Sequence, residues 1–170
     1  MNTGYTGTAT INTVYGASGF TVFTITNNLT INAGTMTHKD NSTAETNRLK
    51  ISVGGGLTLG ASGAINVDGL GYDPNNGPGT PTGSGFVIGG SYGGIGGKDP
   101  GYANTIPGST YGSFTAPTNL GSGGGVSAAS GSGGGAIQLT VSGLATVNGS
   151  ISANGEDNTS YGNGSGGSVY

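Results

Sequence analysis

The chain has 170 residues, the length of one domain with room for an enclosed core, yet 40 of them are glycine and 6 are proline. Only 4 basic and 7 acidic side chains give a formal charge of -3, so nothing neutralises a row of phosphates, and no apolar run of about 20 residues is present to cross a bilayer; nucleic-acid binding and membrane insertion are excluded as expectations. The absence of cysteine removes a disulfide framework and a thiolate metal site. So much glycine approaches low complexity, but disordered chains stay open through high net charge, which is missing. A surface wetted by hydroxyls, amides and backbone fits a secreted repeat protein, extracellular or at the cell surface.

The first residues, MNTGYTGTAT, hold neither a basic segment nor an apolar one, so no signal peptide is expected here. Export would then involve a mature form, an excised fragment or another route. ATINTVY at 9–15 matches ATVNGSI at 145–151 and reads as a partial repeat entered midway. The first full copy follows: Thr21, Phe23 and Ile25, then Leu29 and Ile31, then Met36 and His38. A second copy has Leu49, Ile51 and Val53, then Leu57 and Leu59, then Ile65 and Val67. After a long interval the third has Ile137, Leu139 and Val141, then Ala145 and Val147, then Ile151 and Ala153. In all three copies the step from the third to the fourth of these positions is four residues (25 to 29, 53 to 57, 141 to 145).

Alternation of period two marks strands with one face buried, and the Gly, Asn, Asp or Ser at each break supplies a corner. Asp68-Gly69 and Asn154-Gly155 fall at equivalent corners. Between Val67 and Ile137 lies an excursion over about 70–135, rich in Gly, Pro, Ser and Tyr, too long for a slack tether. Its pieces IGG at 88–90, YGG at 92–94 and IGG at 95–97 fit extended, polyproline-II-like chains lying together; an irregular loop is the plainer expectation. GSGGSVY at 164–170 matches GSGGGAI at 131–137, a second unfinished repeat.

Three short strands per copy cannot bury their apolar sides singly and must stack. The predicted fold is all-β: one domain over 1–170, a parallel, right-handed β-helix or solenoid of about three complete coils with partial coils at both ends. Equivalent strands would pair about 4.8 Å apart. A sandwich of hairpins is the competing arrangement, which would show two-residue Asn-Gly turns and no fixed repeat.

The strings NNLTINAGTMTHKDNST, GGGLTLGASGAINVDGLGY, TYGSFTAPTNLGSGGG, GGGAIQLTVSGLATVNGSISANG and GSGGSVY resemble the glycine-rich β-helix repeat regions of very large secreted or surface-attached bacterial proteins. The likeness runs from about Thr8 to Tyr170. It implies an adhesive or fibre-forming extracellular element, and in that family the coils usually continue past such an end.

Catalysis is not expected. β-Helix enzymes that cleave polysaccharides gather carboxylates, or a Lys or Arg base, on one sheet face, but the outward positions of the first strand are Thr24, Lys50, Ser52, Gln138 and Thr140. Rows of Thr and Ser there are too short and too interrupted for an ice-binding face. His38, the only histidine, reads as a capped or partly buried structural residue rather than a ligand. Asp68, Asp73 and Asp99 are the weak candidates for calcium, against which stands ordinary turn chemistry; no other cofactor is expected. Sequons at Asn28, Asn41, Asn148, Asn158 and Asn163 fall within what chance supplies.

Five of the eight tyrosines, Tyr72, Tyr92, Tyr102, Tyr111 and Tyr161, lie in glycine-rich loops. The first four of them are candidates for stacking on a glycan or a partner protein, unless the rings fold back over the core. Unfinished repeats leave strand edges, marked by Ala9 and Ile11 at one end and Val169 and Tyr170 at the other, for further coils of a longer polypeptide or for a second copy. The leading expectation is a non-catalytic fibre, stalk or surface-filament element, possibly joined head to tail. A carbohydrate-binding adhesin module is the alternative.

Overall fold

The computed structural model describes residues 6–83, 87–101, 104–125 and 127–170. Among these residues the structure is all β, without a helix. The strands are β1 (Thr8–Thr10), β2 (Thr13–Gly16), β3 (Gly19–Phe20), β4 (Phe23–Ile25), β5 (Leu29–Thr37), β6 (Asn47–Val53), β7 (Leu57–Asn66), β8 (Thr82–Gly83), β9 (Thr105–Ile106), β10 (Ala136–Val141), β11 (Ala145–Val147), β12 (Ser150–Ser152) and β13 (Ser168–Val169).

Strand β6 shows why the apolar alternation folds as it does. Leu49, Ile51 and Val53 point inward and are buried, while Arg48, Lys50 and Ser52 face outward. Parallel neighbours repeat the arrangement in register: Phe23 beside Ile51, Ile25 beside Val53, and on the other edge Ile137 beside Leu49, Leu139 beside Ile51 and Val141 beside Val53. In the other sheet Leu29, Leu57 and Ala145 align, as do Ile31, Leu59 and Val147, and then Met36, Ile65 and Ile151. One apolar cluster, including Ile31, Leu49, Ile51, Leu59, Ile65 and Ile137, joins the two sheets.

A single parallel solenoid is not what forms. The strands fall into three separate sheets. The first, β1-β5-β7-β11 with β12 also on β7, is parallel; the second, β13-β10-β6-β2-β3 with β4 also on β6, is mixed; β8 and β9 make a third. In the mixed sheet β2 runs antiparallel to both β3 and β6, with Val14 opposite Asn47, and β8 and β9 are antiparallel as well. The cause is local: Gly19 takes φ 91°, a left-handed value that closes a hairpin between Tyr15 and Phe20 instead of letting the chain run on.

The expected repeat phases are corrected too. Ala9 aligns with Met36, and so with Ile65 and Ile151, not with the Ala145 position. Val169 aligns with Ile137, one residue away from the match of GSGGSVY to GSGGGAI. Two of the three expected strands per copy run together as β5 and β7, across an irregularity after Ile31 where Ala33 lies opposite Ser62.

The glycine-rich excursion is bonded through its backbone. Residues 121–125 exchange main-chain hydrogen bonds with Tyr72, Asn75 and Asn76, with Gly131 and Gly134, with Ser165 and with Ile88, at 2.8–3.0 Å. A pleated strand has two edges and cannot serve four neighbours, so these residues do not lie as a strand within a sheet. The contacts also demand bare backbones: a Cβ on Gly133 would collide with the Gly121 carbonyl, and one on Gly164 with the Ser132 carbonyl.

Candidate functional site

The candidate tyrosines divide. Tyr72 is 8% exposed and packs with Leu120 and Ala136 beneath the glycine chains. Tyr111 turns its hydroxyl inward, donating to the Leu120 carbonyl at 2.5 Å and accepting from Ser122 Oγ at 2.9 Å. Burial drives its phenol far above the ordinary range, the Ser122 hydrogen bond opposing only in part. Tyr92 accepts from the Asn119 N–H at 3.4 Å, and its ring lies 4.9 Å from that of Tyr111, tilted by 59°. Tyr102 lies outside the described residues.

The rings of Tyr92 and Tyr111 line one wall of a cleft of about 340 Å³ that also touches Phe114 and Pro117. Phe114 is 99% exposed. It was no candidate in the sequence, although a large apolar ring between Ser113 and Thr115 has no strand periodicity to draw it inward. A second, wider cleft of about 500 Å³ lies between the glycine chains around 87–99 and 158–164 and includes Tyr161, Lys98 and Asp99.

The three acids considered for calcium are not gathered. Asp68 caps a corner, Oδ1 accepting from the Asn154 N–H at 2.6 Å and Oδ2 from Asn66 Nδ2 and Ser152 Oγ. Asp73 accepts from Ser42 Oγ at 2.7 Å, and Asp99 from the Gly101 N–H at 2.8 Å. Among the described residues no three of His, Asp and Glu come together as a metal would require.

Three other polar residues brace the interior. His38 is buried, its Nδ1 on the Lys39 carbonyl at 2.7 Å and its Nε2 accepting from the Ala136 N–H at 3.2 Å. The acceptor role requires the neutral ring protonated on Nδ1, in agreement with a pKa held below 6.5 by desolvation. Asn41, a sequon by pattern, is also buried. Its amide donates to the carbonyls of Asn47 and Leu70 and accepts from the N–H groups of Thr46 and Asn47, which leaves no atom for a glycan. Arg48 lies 4.0 Å above the Phe20 ring and donates from Nη1 to the Thr118 carbonyl, holding hairpin, sheet and loop together. Glu45 nearby is raised by burial, against the opposing effects of Asn119 and Arg48.

The proposed assembly positions lie at strand edges. Ala9 sits on β1, and Ile11 packs partly against the core with its N–H on the Thr37 carbonyl. Val169 and Tyr170 are about half exposed, with the Tyr170 carbonyl accepting from the Leu139 N–H. Among the described residues no strand covers the outer edges of β1 and β4 at one end, or of β11, β12 and β13 at the other. Apolar side chains stand beside those edges, Val22 and Phe23 at the first, Leu144 and Val147 at the second.

Comparison with known proteins adds no identity: no family model matches the chain, no curated protein matches it, and no solved structure matches it.

Proposed function

We propose that this chain is a non-catalytic structural element of an extracellular fibre, stalk or surface filament, joined end to end through its strand edges. The observation that carries this reading is the pair of edges that no strand among the described residues covers, on opposite sides of the parallel-paired core. Unpaired N–H and C=O groups in a row are a template for another strand, and the usual guards against this, charge and proline, are absent from β4, β11 and β12. A contact between two different ends need not close on itself and propagates as a filament. The likeness to glycine-rich repeat regions of large bacterial surface proteins, and the small number of charges, point the same way.

Sedimentation velocity over a concentration series, with electron microscopy of the same samples, tests it. Wild type is expected to form linear species, and Val147→Lys or Phe23→Lys to arrest growth while leaving the far-ultraviolet circular dichroism unchanged. A monodisperse monomer at the highest soluble concentration, or assembly by Val147→Lys as by wild type, overturns the reading.

A further inference from the structure

We propose that the cleft between Tyr92, Tyr111 and Phe114 binds a neutral carbohydrate. The rings are held before any ligand arrives: Tyr111 by Leu120 and Ser122, Tyr92 by Asn119, at a tilt of 59°. A prepared aromatic wall loses little freedom on binding. Gly93 and Gly112 flank the rings without side chains of their own. Gly112, at φ 80°, lies so near Tyr92 that a Cβ there would press into that ring. Phe114, wholly solvated, offers a further face opposite a cavity with no charged group in its lining.

The chemistry of the wall selects the occupant. With no charge to pair, an anionic or cationic ligand would shed its hydration without compensation. The inward commitment of the Tyr111 hydroxyl leaves ring surface, whose negative face attracts the slightly positive C–H groups of a pyranose. Hydroxyls of Thr110 and Ser113 at the margin suit a ligand bristling with hydroxyls. A proline-rich peptide is the other neutral ligand that aromatic grooves accept, but such peptides present carbonyls along an extended length, and the Tyr111 hydroxyl already donates its hydrogen bond to the Leu120 carbonyl. A cavity of about 340 Å³ is at the small end of ligand sites, the scale of one or two sugar rings.

The experiment titrates the full chain with cellohexaose, mannohexaose, a neutral galactan and a proline decamer, followed by amide chemical shifts and by tyrosine fluorescence, which no tryptophan obscures. At least one saccharide is expected to shift the amides of Gly93, Gly112 and Ser113. Phe114→Ala, at a solvated position that cannot unsettle the fold, should weaken it about tenfold, the worth of one ring contact. No saccharide response, a response that Phe114→Ala leaves intact, or binding of the proline decamer alone would each overturn the assignment. The titration is repeated with Val147→Lys, which blocks strand-edge association, so neither outcome decides the other.

Discussion

Asn41 has all four hydrogen-bonding positions of its amide occupied, two of them by Asn47, so its loss strands several buried groups together. Asn41→Ala should cost about 2–4 kcal/mol in chemical denaturation, from bonds worth roughly 1 kcal/mol each plus the unsatisfied partners. His38 adds a dependence on pH. Because the folded imidazole is held below 6.5, the unfolded chain takes up a proton that the fold refuses. Stability is therefore complete above pH 6.5 and declines as the pH falls below it, by up to about 1.4 kcal/mol per pH unit. Asp40 and Glu45, both raised mainly by burial, act with the opposite sign in acid, gaining stability as the pH falls. Denaturation midpoints for wild type and His38→Gln between pH 7 and 5 isolate the histidine, since the variant should lose that decline. At this scale the sequence anticipated a structural His38, capped or partly buried where the fold buries it fully, but not the brace at Asn41, because its partners Leu70 and Asn47 meet it only through the fold. That loop rings could fold back was legible for Tyr111, but its partners were not: Ser122 and Leu120 meet it only once the glycine chains converge.

The strands of the apolar core were legible because period two survives in Leu49-Lys50-Ile51-Ser52-Val53, and equivalent positions lie side by side where the copies are complete. Their arrangement into one continuous coil was not correct, and the reason is visible in Tyr15-Gly16-Ala17-Ser18-Gly19-Phe20, a turn signal inside a stretch that also resembles a repeat. Matching by letters also tolerates a one-residue slip, which in a strand exchanges the two faces; Val169 beside Ile137 shows the size of that error. Glycine segments were least legible of all, for they carry no side chain to reveal a period, and backbone bonding alone determines how they lie. Their packing can be checked by two alanines. Gly133→Ala, against the Gly121 carbonyl, should destabilise by about 1–3 kcal/mol, as overpacking does, whereas Gly93→Ala, with nothing within 4 Å, should stay within about 0.5 kcal/mol of wild type. Equal effects of the two, measured by thermal denaturation, would mean that the chains are not packed in this way.

For the molecule as a whole, 6% charged residues leave little electrostatic force to organise an assembly. End-to-end growth driven by backbone pairing and by Phe23, Leu144 and Val147 should therefore change little between dilute buffer and about 1 M salt, where exposed charge interactions are screened within about 3 Å. Light scattering at the two salt concentrations checks this, and a marked fall in high salt would contradict it. The backbone-bonded glycine chains carry a different consequence for the same molecule. Unfolding that region uncovers amide groups more than hydrocarbon, and hydration of the two alters heat capacity in opposite directions. Its free-energy curve should accordingly be shallow on the cold side, where oily cores weaken, and chilling should loosen the contacts around Ile51 more than it loosens the glycine threads.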